Sequence, residues 1–312
     1  MGLFDKIKNA TFMNESTTIQ YDLEELKEIL PLASGKDKTT IEQAIKNLEF
    51  GQKGEGAIIY ELKHSGIPMM VIQDLYLEYE DLSAQIDFLI ITRDKHFVVE
   101  CKNMYGDVVV ENTGDFIRKF GKDSRKIYSP ITQCERHLQV IKAIRKESKR
   151  NIVLKHFFEK NFENQYIPIV IMANPNGKIN VKYAPKDIKH KIIGVDQLIR
   201  FIKNSNTSKE QSSEKIMESI AQFFLEKGTQ NPRHYMEQYR KLVPPAPEDT
   251  KPLVESDASE SVTQELQSEE GKLCSRCGGT MVKRIAKRGE HTGNTFFGCS
   301  NYPKCRYTEA VE

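Results

Sequence analysis

Two carboxylates and a lysine stand at short spacing in strand-like sequence. Asp87 lies in the apolar run "AQIDFLIIT", and Glu100 and Lys102 end the run "FVVECK". Residues two apart on a strand share a face, so Glu100 and Lys102 point the same way. If the two runs pair as a hairpin, Asp87 joins them at one end. Two carboxylates there could bind a hard divalent cation, and Lys102 could stabilise charge on a phosphate. A surface ion pair between Glu100 and Lys102 is the alternative, because the D…ExK pattern is short.

A second set of chemical residues lies near the end of the chain. Cys274-x2-Cys277 is followed after 21 residues by Cys299-x5-Cys305. Four thiolates at this spacing fit one tetrahedral zinc ion. The 42 residues from position 271 onward could build only a marginal core, so the metal would supply folding free energy. Two disulfides are the alternative, which a chain without signs of secretion disfavours. His291 is not needed once four cysteines complete the site.

The cysteine segment is also basic and aromatic. Residues 271–312 hold eight cations and three acids, with four aromatic residues among them. Cations that contact phosphates and aromatic rings that stack on bases are the usual means of binding single-stranded nucleic acid. Some of these rings could instead form the small core of the segment. The residues predicted to bind nucleic acid are Arg276, Lys283, Arg284, Lys287, Arg288, Phe296, Phe297, Tyr302, Lys304 and Arg306.

Hydrophobic periodicity predicts the elements that position these residues. Helical spacing of apolar residues marks two segments in the first 50 residues, and a helix is expected from about Gly54 to Lys63. A further helix is expected after Ser129, a suitable N-cap, with Pro130 in its first turn. The expected strands are Met69–Leu77, Gln85–Thr92, His96–Lys102, Asp107–Glu111 and a buried run at 166–174, followed by a short strand and a helix up to about 203.

Composition divides the chain and excludes some classes of protein. No apolar run approaches eighteen residues and no signal peptide opens the chain, so a cytoplasmic protein without a membrane span is expected. Residues 244–270 hold eight acids and one lysine, which is typical of a disordered linker. The expected parts are a helical lead-in at 1–50, a mixed α/β domain at 51–203, a helical extension at 204–243, the acidic linker at 244–270 and a zinc ribbon at 271–312.

Several pieces of the mixed α/β region resemble the nuclease-related (NERD) domain of the restriction-endonuclease-like PD-(D/E)xK superfamily. They are "KGEG", "AQIDFLII", "VVECKN" with "YGDVVV", and "SPITQCERHLQVI". The resemblance implies a mixed sheet flanked by helices, with Asp87 and Glu100 as ligands of Mg²⁺ or Mn²⁺ and Lys102 as the catalytic lysine. One residue departs from the superfamily pattern, because Ile86 stands where a proline precedes the first aspartate.

The same resemblance assigns two further residues. Glu55, on the preceding helix, would be an additional acid near the metal, and Gln133, on the following helix, would line the site. Each residue also has a simpler interpretation. Glu55 could be a solvated first-turn acid that complements a helix dipole, and Gln133 could be a surface residue of its helix.

The cysteine segment closely resembles the C-terminal zinc ribbons of bacterial type IA topoisomerases, which bind single-stranded DNA. Together the two resemblances imply a metal-dependent DNA nuclease that one zinc-bearing ribbon brings to DNA. A non-catalytic nucleic-acid adaptor that keeps the nuclease fold is the alternative, and RNA is a weaker candidate substrate. Defence against foreign DNA and DNA repair would both suit such an enzyme, and analogy favours defence.

Overall fold

The computed structural model describes residues 8–14, 17–208, 211–231, 235–244, 274, 281–285, 295–299 and 307–310. The chain divides into two compact units, Met1–Glu248 and Asp249–Glu312. Within the described residues, no helix combines the length and apolar character needed to cross a membrane.

The larger unit is a mixed α/β structure, as the sequence predicts. Its strands are β1 (Ala10–Phe12), β2 (Met69–Tyr79), β3 (Leu82–Ile91), β4 (His96–Lys102), β5 (Asp107–Val110), β6 (Phe116–Phe120), β7 (Asp123–Ile127), β8 (Tyr166–Met172), β9 (Ile179–Asn180) and β10 (Ile192–Gly194). Its helices are α1 (Thr18–Ile29), α2 (Gly35–Lys63), α3 (Pro130–Glu147), α4 (Ile152–Gln165), α5 (Lys186–Lys189), α6 (Leu198–Ser205), α7 (Glu214–Lys227) and α8 (Glu237–Arg240).

Two sheets organise this unit. The larger sheet has the order β1-β2-β3-β4-β8-β10. Strands β2, β3 and β4 form an antiparallel meander, whereas β1 is parallel to β2 and β8 is parallel to both β4 and β10. A smaller sheet of order β7-β6-β5-β9 begins a few residues after the end of β4. The mixed central sheet explains why β8 reads as a continuous apolar run, since helices cover both of its faces.

Helices cover both faces of the central sheet. Successive side chains along each strand point to opposite faces, so every central strand contacts both helical layers. Apolar residues of α3, α4 and α7 pack on one face, which carries Ile72, Leu89 and Val98. Residues of α2 and α6 pack on the other face, which carries Val71, Phe88 and Phe97. Burial of both faces supplies the main stabilising free energy of the unit.

The observed bounds confirm most predicted elements and correct others. Strand β4 is found as predicted, and the Ser129 side chain caps α3 by accepting the Thr132 N–H. Helix α2 is longer than predicted, because it continues through three glycines from Gly35 to Lys63 across the boundary predicted at residue 50. Strands β1, β6 and β7 and helix α4 are not predicted by the periodicity. The extension after residue 203 packs on the sheet through Met217, Ala221 and Phe224 of α7.

The smaller unit contains a three-stranded antiparallel sheet. Its strands are β11 (Met281–Ile285), β12 (Thr295–Cys299) and β13 (Thr308–Ala310), with β12 in the middle. Met281 pairs with Cys299 in the register of β11 and β12. The described part of this unit therefore has the hairpin-based sheet expected of a ribbon.

Candidate active site

The hydrogen-bond ladder between β3 and β4 stops just before the two acids. Phe88 and Val99 are the last pair of this ladder. Beyond them, the backbone N–H of Cys101 donates to Asp87 Oδ2 at 2.6 Å, so the carboxylate satisfies an amide that β3 leaves unpaired. Strand β4 stays paired with β8 to its last residue. Strands β3 and β4 therefore separate here, with Asp87 and Glu100 at the point of separation.

Glu100 and Lys102 point from β4 toward α3. Glu100 is only 2% exposed, and its Oε1 forms an ion pair with the Lys102 ammonium group. Lys102 also donates to Gln133 Oε1 at 3.1 Å. Among the described residues, Glu100 Oε2 has no hydrogen-bond partner, although His137 Nδ1 lies 3.7 Å from it. The structure thus brings three side chains, Lys102, Gln133 and His137, together around one buried carboxylate.

Burial and repulsion raise the pKa values of the acids in this region. Burial, followed by repulsion from Asp87 and Asp74, raises the pKa of Glu55 on α2 to about 8. Burial also raises the pKa of Asp87, although the positive charge of Lys102 opposes this shift. For Glu100, burial and then Asp87 raise the pKa. The carboxyl groups are thus close enough to disfavour one another's ionised forms, and a cation among them would relieve this cost.

Asp74 on β2 is an acid of this region that the sequence analysis did not single out. Its backbone is left-handed, with φ 53°. The residue pairs of β2 and β3 on both sides of Asp74 and Asp87 have the same register, so these two acids lie opposite each other. Its Oδ1 accepts a hydrogen bond from Gln85 Nε2 at 2.5 Å, and its Oδ2 accepts the N–H of Thr18 at the start of α1. Asp74 therefore holds α1 near the site. An acid inside the apolar run "VIQDLYL" was the signal that could have found it.

His137 is a second residue that the sequence analysis missed. It lies one turn after Gln133 on α3 and is 5% exposed. Burial, and then the charge of Lys102, lowers its pKa to about 4. His137 is therefore neutral near pH 7 and packs beside Glu100 without forming an ion pair. The four-residue spacing from Gln133 places both side chains on one helix face, which was a usable signal.

The acids are suited to a metal ion that keeps part of its water shell. Among the described residues, no three His, Cys, Asp or Glu side chains lie close enough together to hold an ion by themselves. Mg²⁺ often takes only one or two protein carboxylates and completes its shell with water and substrate phosphates. The buried Glu100 Oε2, to which no group in the described part of the chain donates a hydrogen bond, is the kind of oxygen that such an ion needs. Asp87 and Glu100 therefore fit the chemistry of Mg²⁺.

The smaller unit contains part of the predicted zinc site. Cys274 and Cys299 are buried with Met281, and Phe297 and Tyr307 pack against them. At least these two rings thus contribute to the small core, which was the alternative to base stacking. Strands β11 and β12 place Lys283, Arg284 and Phe296 along a hairpin. The other predicted residues lie outside the described residues: Arg276, Cys277, Lys287, Arg288, Tyr302, Lys304, Cys305 and Arg306.

Comparison with protein families gives two matches. Residues 50–172 match the nuclease-related domain, which includes β2 to β8 and every acid discussed above. The chain contains a nuclease-related domain. Residues 271–312 match the topoisomerase DNA binding C4 zinc finger. The nuclease-related domain is therefore joined in one chain to a DNA-binding finger of the type that carries zinc on four cysteines.

Similarity to individual proteins is limited to short segments of the chain. The chain is 34% identical over 59 residues to DNA topoisomerase 1 of Helicobacter pylori, which is 19% of this chain and 7% of that protein. It is 49% identical over 43 residues to DNA topoisomerase 1 of Methanocaldococcus jannaschii, covering 14% of this chain and 5% of that protein. The chain thus spans less than a tenth of these relatives. No solved structure matches the chain.

Proposed function

We propose that the protein is a Mg²⁺- or Mn²⁺-dependent deoxyribonuclease that hydrolyses phosphodiester bonds. The observation that supports this proposal most directly is the end of β4. There, a buried carboxylate, one of whose oxygens has no hydrogen-bond partner among the described residues, meets a lysine and a second acid. The family matches support this proposal, because they join a nuclease-related domain to a DNA-binding finger. Cleavage of foreign DNA and processing of damaged DNA are both settings that such an enzyme would serve.

Each side chain of the candidate site has its own role in the proposed hydrolysis. Asp87 and Glu100 would hold the metal ion, with Glu55 as an additional acid on the side of α2. A bound Mg²⁺ supplies a more acidic water and offsets charge on the phosphate. Burial alone would lower the pKa of Lys102, but its pairing with Glu100 raises the pKa overall. Lys102 therefore stays cationic at neutral pH and can stabilise the charge that develops on phosphorus.

The remaining contacts orient this lysine. Gln133 accepts a hydrogen bond from Lys102 and fixes the direction of its ammonium group. His137 is neutral, so it fills the space beside Glu100 without forming an ion pair with the Glu100 carboxylate. Both positions lie on α3, so the packing of this helix against β4 determines where the lysine points.

Cleavage of plasmid and single-stranded DNA in Mg²⁺, Mn²⁺ or EDTA tests the proposal. We expect cleavage with either metal and none in EDTA. Glu100→Ala and Asp87→Ala should each lower the rate at least about 100-fold, because each removes a ligand, while DNA affinity stays close to wild type. Lys102→Ala should lower the rate but leave binding of Mn²⁺ measurable by calorimetry.

Three outcomes would contradict parts of this proposal. Wild-type rates in both acid variants would exclude the metal site. DNA binding without cleavage under any metal would favour the non-catalytic adaptor instead. Cleavage of RNA in preference to DNA would change the substrate class but keep the site.

A further inference from the structure

Hairpin β6–β7 carries a dense positive charge beside the candidate active site. Its residues 116–127 include five cations and one acid. Lys126 forms an ion pair with Asp115 at 2.8 Å. No carboxylate of the described residues forms an ion pair with the other four cations. These are Arg118, Lys119, Lys122 and Arg125.

Two arginines face each other across this hairpin. Arg118 pairs with Arg125 in the antiparallel register of β6 and β7. Like charges directly opposite each other destabilise a strand pair. Partial burial, and then the charge of Arg125, lowers the pKa of Arg118. The hairpin therefore keeps two unneutralised cations together at a cost that a bound anion would remove.

The hairpin is held against the segment that follows the proposed catalytic lysine. Arg118 Nε donates to the Tyr105 carbonyl oxygen at 2.5 Å. Gly106 has φ 92°, and a Cβ atom there would lie 2.3 Å from the Lys119 carbonyl oxygen, so only glycine permits this approach. Three residue steps from Lys102 to Tyr105 span at most about 11 Å. The arginines are thus within a few nucleotides of the proposed cleavage point.

A groove connects the hairpin with the end of the central sheet. A cavity of about 510 Å³ is lined by Tyr105, Lys119, Phe120 and Asn174, and by Asp107, whose carboxylate accepts the Lys178 N–H. Phe50, Asn174 and Asn176 also line a second cavity of about 930 Å³, which reaches Asn103 directly after Lys102. The two cavities therefore adjoin each other at these three shared residues, next to the segment that follows Lys102.

Tyr105 offers an aromatic surface at this groove. It is 73% exposed, and its backbone is fixed by the contact with Arg118. Its exposed ring can stack on an unpaired base, whereas the bases of a duplex are already stacked on each other. The groove is lined by Lys119 of the hairpin, two asparagine amides and the exposed Tyr105 ring, and Arg118 lies at its edge through the bond to the Tyr105 carbonyl oxygen. A cation, amides and an exposed ring together are features of a site for a single strand.

We propose that hairpin β6–β7 and Tyr105 form a second DNA-binding site, which holds a single strand as it passes the candidate active site. Arg118 and Arg125 contact its phosphates, and Tyr105 stacks on a base. This site belongs to the nuclease-related domain and is separate from the zinc finger. Its role in guiding substrate depends on the proposed nuclease function, whereas its ability to bind DNA does not.

Binding of labelled oligothymidylate to the full chain in EDTA tests the site without cleavage. The double variant R118Q/R125Q should bind at least about tenfold more weakly. The slope of log affinity against log salt should fall by about 1.4, since two phosphate contacts to a single strand are lost. The matched control R150Q/K160Q removes the same charge from exposed positions around α4 and should change affinity less than about twofold.

Further variants separate charge, stacking and folding. R118K/R125K keeps both charges and should retain most of the affinity. Tyr105→Ala should weaken single-strand binding more than duplex binding. Thermal unfolding checks that each variant is folded, and R118Q/R125Q should be at least as stable as wild type at low salt because a like-charge pair is gone.

The proposal has clear contradicting outcomes. Equal affinity and salt slope for R118Q/R125Q and wild type would overturn the hairpin site. Equal losses for duplex and single strand in Tyr105→Ala would overturn the assignment to a single strand. If no DNA is ever cleaved but the variants behave as expected, the nuclease proposal fails and the binding site remains.

Discussion

At the scale of single residues, burial raises the pKa values of the acids of the candidate site above those of the same groups in water. Glu55 shows this most simply, because its pKa is raised from 4.5 to about 8. A carboxyl group whose pKa is raised in the folded state stabilises the fold at low pH. This contribution is lost as the pH rises through the window between the two pKa values. The apo protein is therefore less stable at pH 8 than its packing alone would give.

Glu55→Gln should be more stable than wild type at pH 8 and equal to it at pH 4.5. The amide is neutral throughout, so it never carries the buried charge that wild-type Glu55 acquires at high pH. Thermal unfolding in EDTA at the two pH values measures the difference. Glu163→Gln, at an exposed position on α4, is the matched control and should change stability equally at both. The same gain for Glu55→Gln at both pH values would show that ionisation of the buried Glu55 carboxyl group is not its cause.

The residues of the site differ in how readily the sequence reveals them. Asp87, Glu100 and Lys102 stand out because charges interrupt apolar strands. Asp74 follows the same rule on β2, but the other charge on that strand, Glu78, is also an acid and lies four residues away, so no acid–lysine pattern marks the position. His137 was hidden for another reason, since a single histidine on an apolar helix face resembles an ordinary core residue.

At the scale of elements, Gly54 controls how closely α2 approaches the end of β4. A Cβ atom at this position would lie 2.6 Å from the Asn103 Cβ and 3.1 Å from the Ala173 Cβ. Because Asn103 follows Lys102 directly, separating the two elements would also move the lysine and Glu55 apart. The absence of a side chain at Gly54 therefore sets the width of the site.

Gly54→Ala should lower both cleavage rate and stability, by about 1–3 kcal/mol for the latter, because the added methyl group overpacks the contact. Gly56→Ala lies two residues further along α2, where an added Cβ meets nothing within 4 Å. It should instead stabilise the helix by about 0.5–1 kcal/mol and leave cleavage unchanged. Denaturant unfolding and cleavage assays compare the two. If both variants had the same stability and cleavage rate, the close approach of α2 to the end of β4 would have no effect on either.

Periodicity predicts the elements that are buried on one or both faces. Strands β2, β3, β4 and β8 and helix α3 have regular apolar patterns, and the structure confirms them. Hairpin β6–β7 was missed because "FIRKFGKDSRKI" places cations in adjacent pairs, Arg118–Lys119 and Arg125–Lys126, which interrupt the alternation that would mark an apolar face. Strand β1 has three residues, and a pattern with period two cannot be recognised over that length.

At the scale of the whole molecule, the chain joins a nuclease-related domain to a DNA-binding finger, and we expect truncation to separate their roles. Deleting 271–312 should raise the DNA concentration for half-maximal cleavage and flatten its salt dependence, because the phosphate contacts of the finger are lost. The rate at saturating DNA should stay near wild type, since no proposed catalytic residue lies beyond His137. Cleavage assays across a salt series measure both. Unchanged behaviour at every salt concentration would assign the finger to a protein partner.

The finger should depend on its metal, whereas the larger unit should not. Cys299→Ser removes a buried thiolate at the end of β12 and should release zinc and unfold the small sheet. Elemental analysis should find about one zinc per wild-type chain. The main thermal transition, which reports the larger unit, should remain. No zinc in the wild type, together with a mass loss matching two disulfides, would exclude the metal site.

The number of residues in helix α2 determines how α1 is rotated about the axis of α2. Its first half packs with α1 through Ile41 and Ile45, and its second half presents Glu55 to the acids and Ile58 to the sheet. Each residue of an α-helix advances the chain by 100° and 1.5 Å. One residue inserted near position 50 would turn α1 by more than a quarter revolution about the helix axis, away from its bond to Asp74. Seven inserted residues would restore the angle to within about 20° but displace α1 by about 10 Å. Length variation between relatives should therefore accumulate in the loops, and this one helix should keep its residue count.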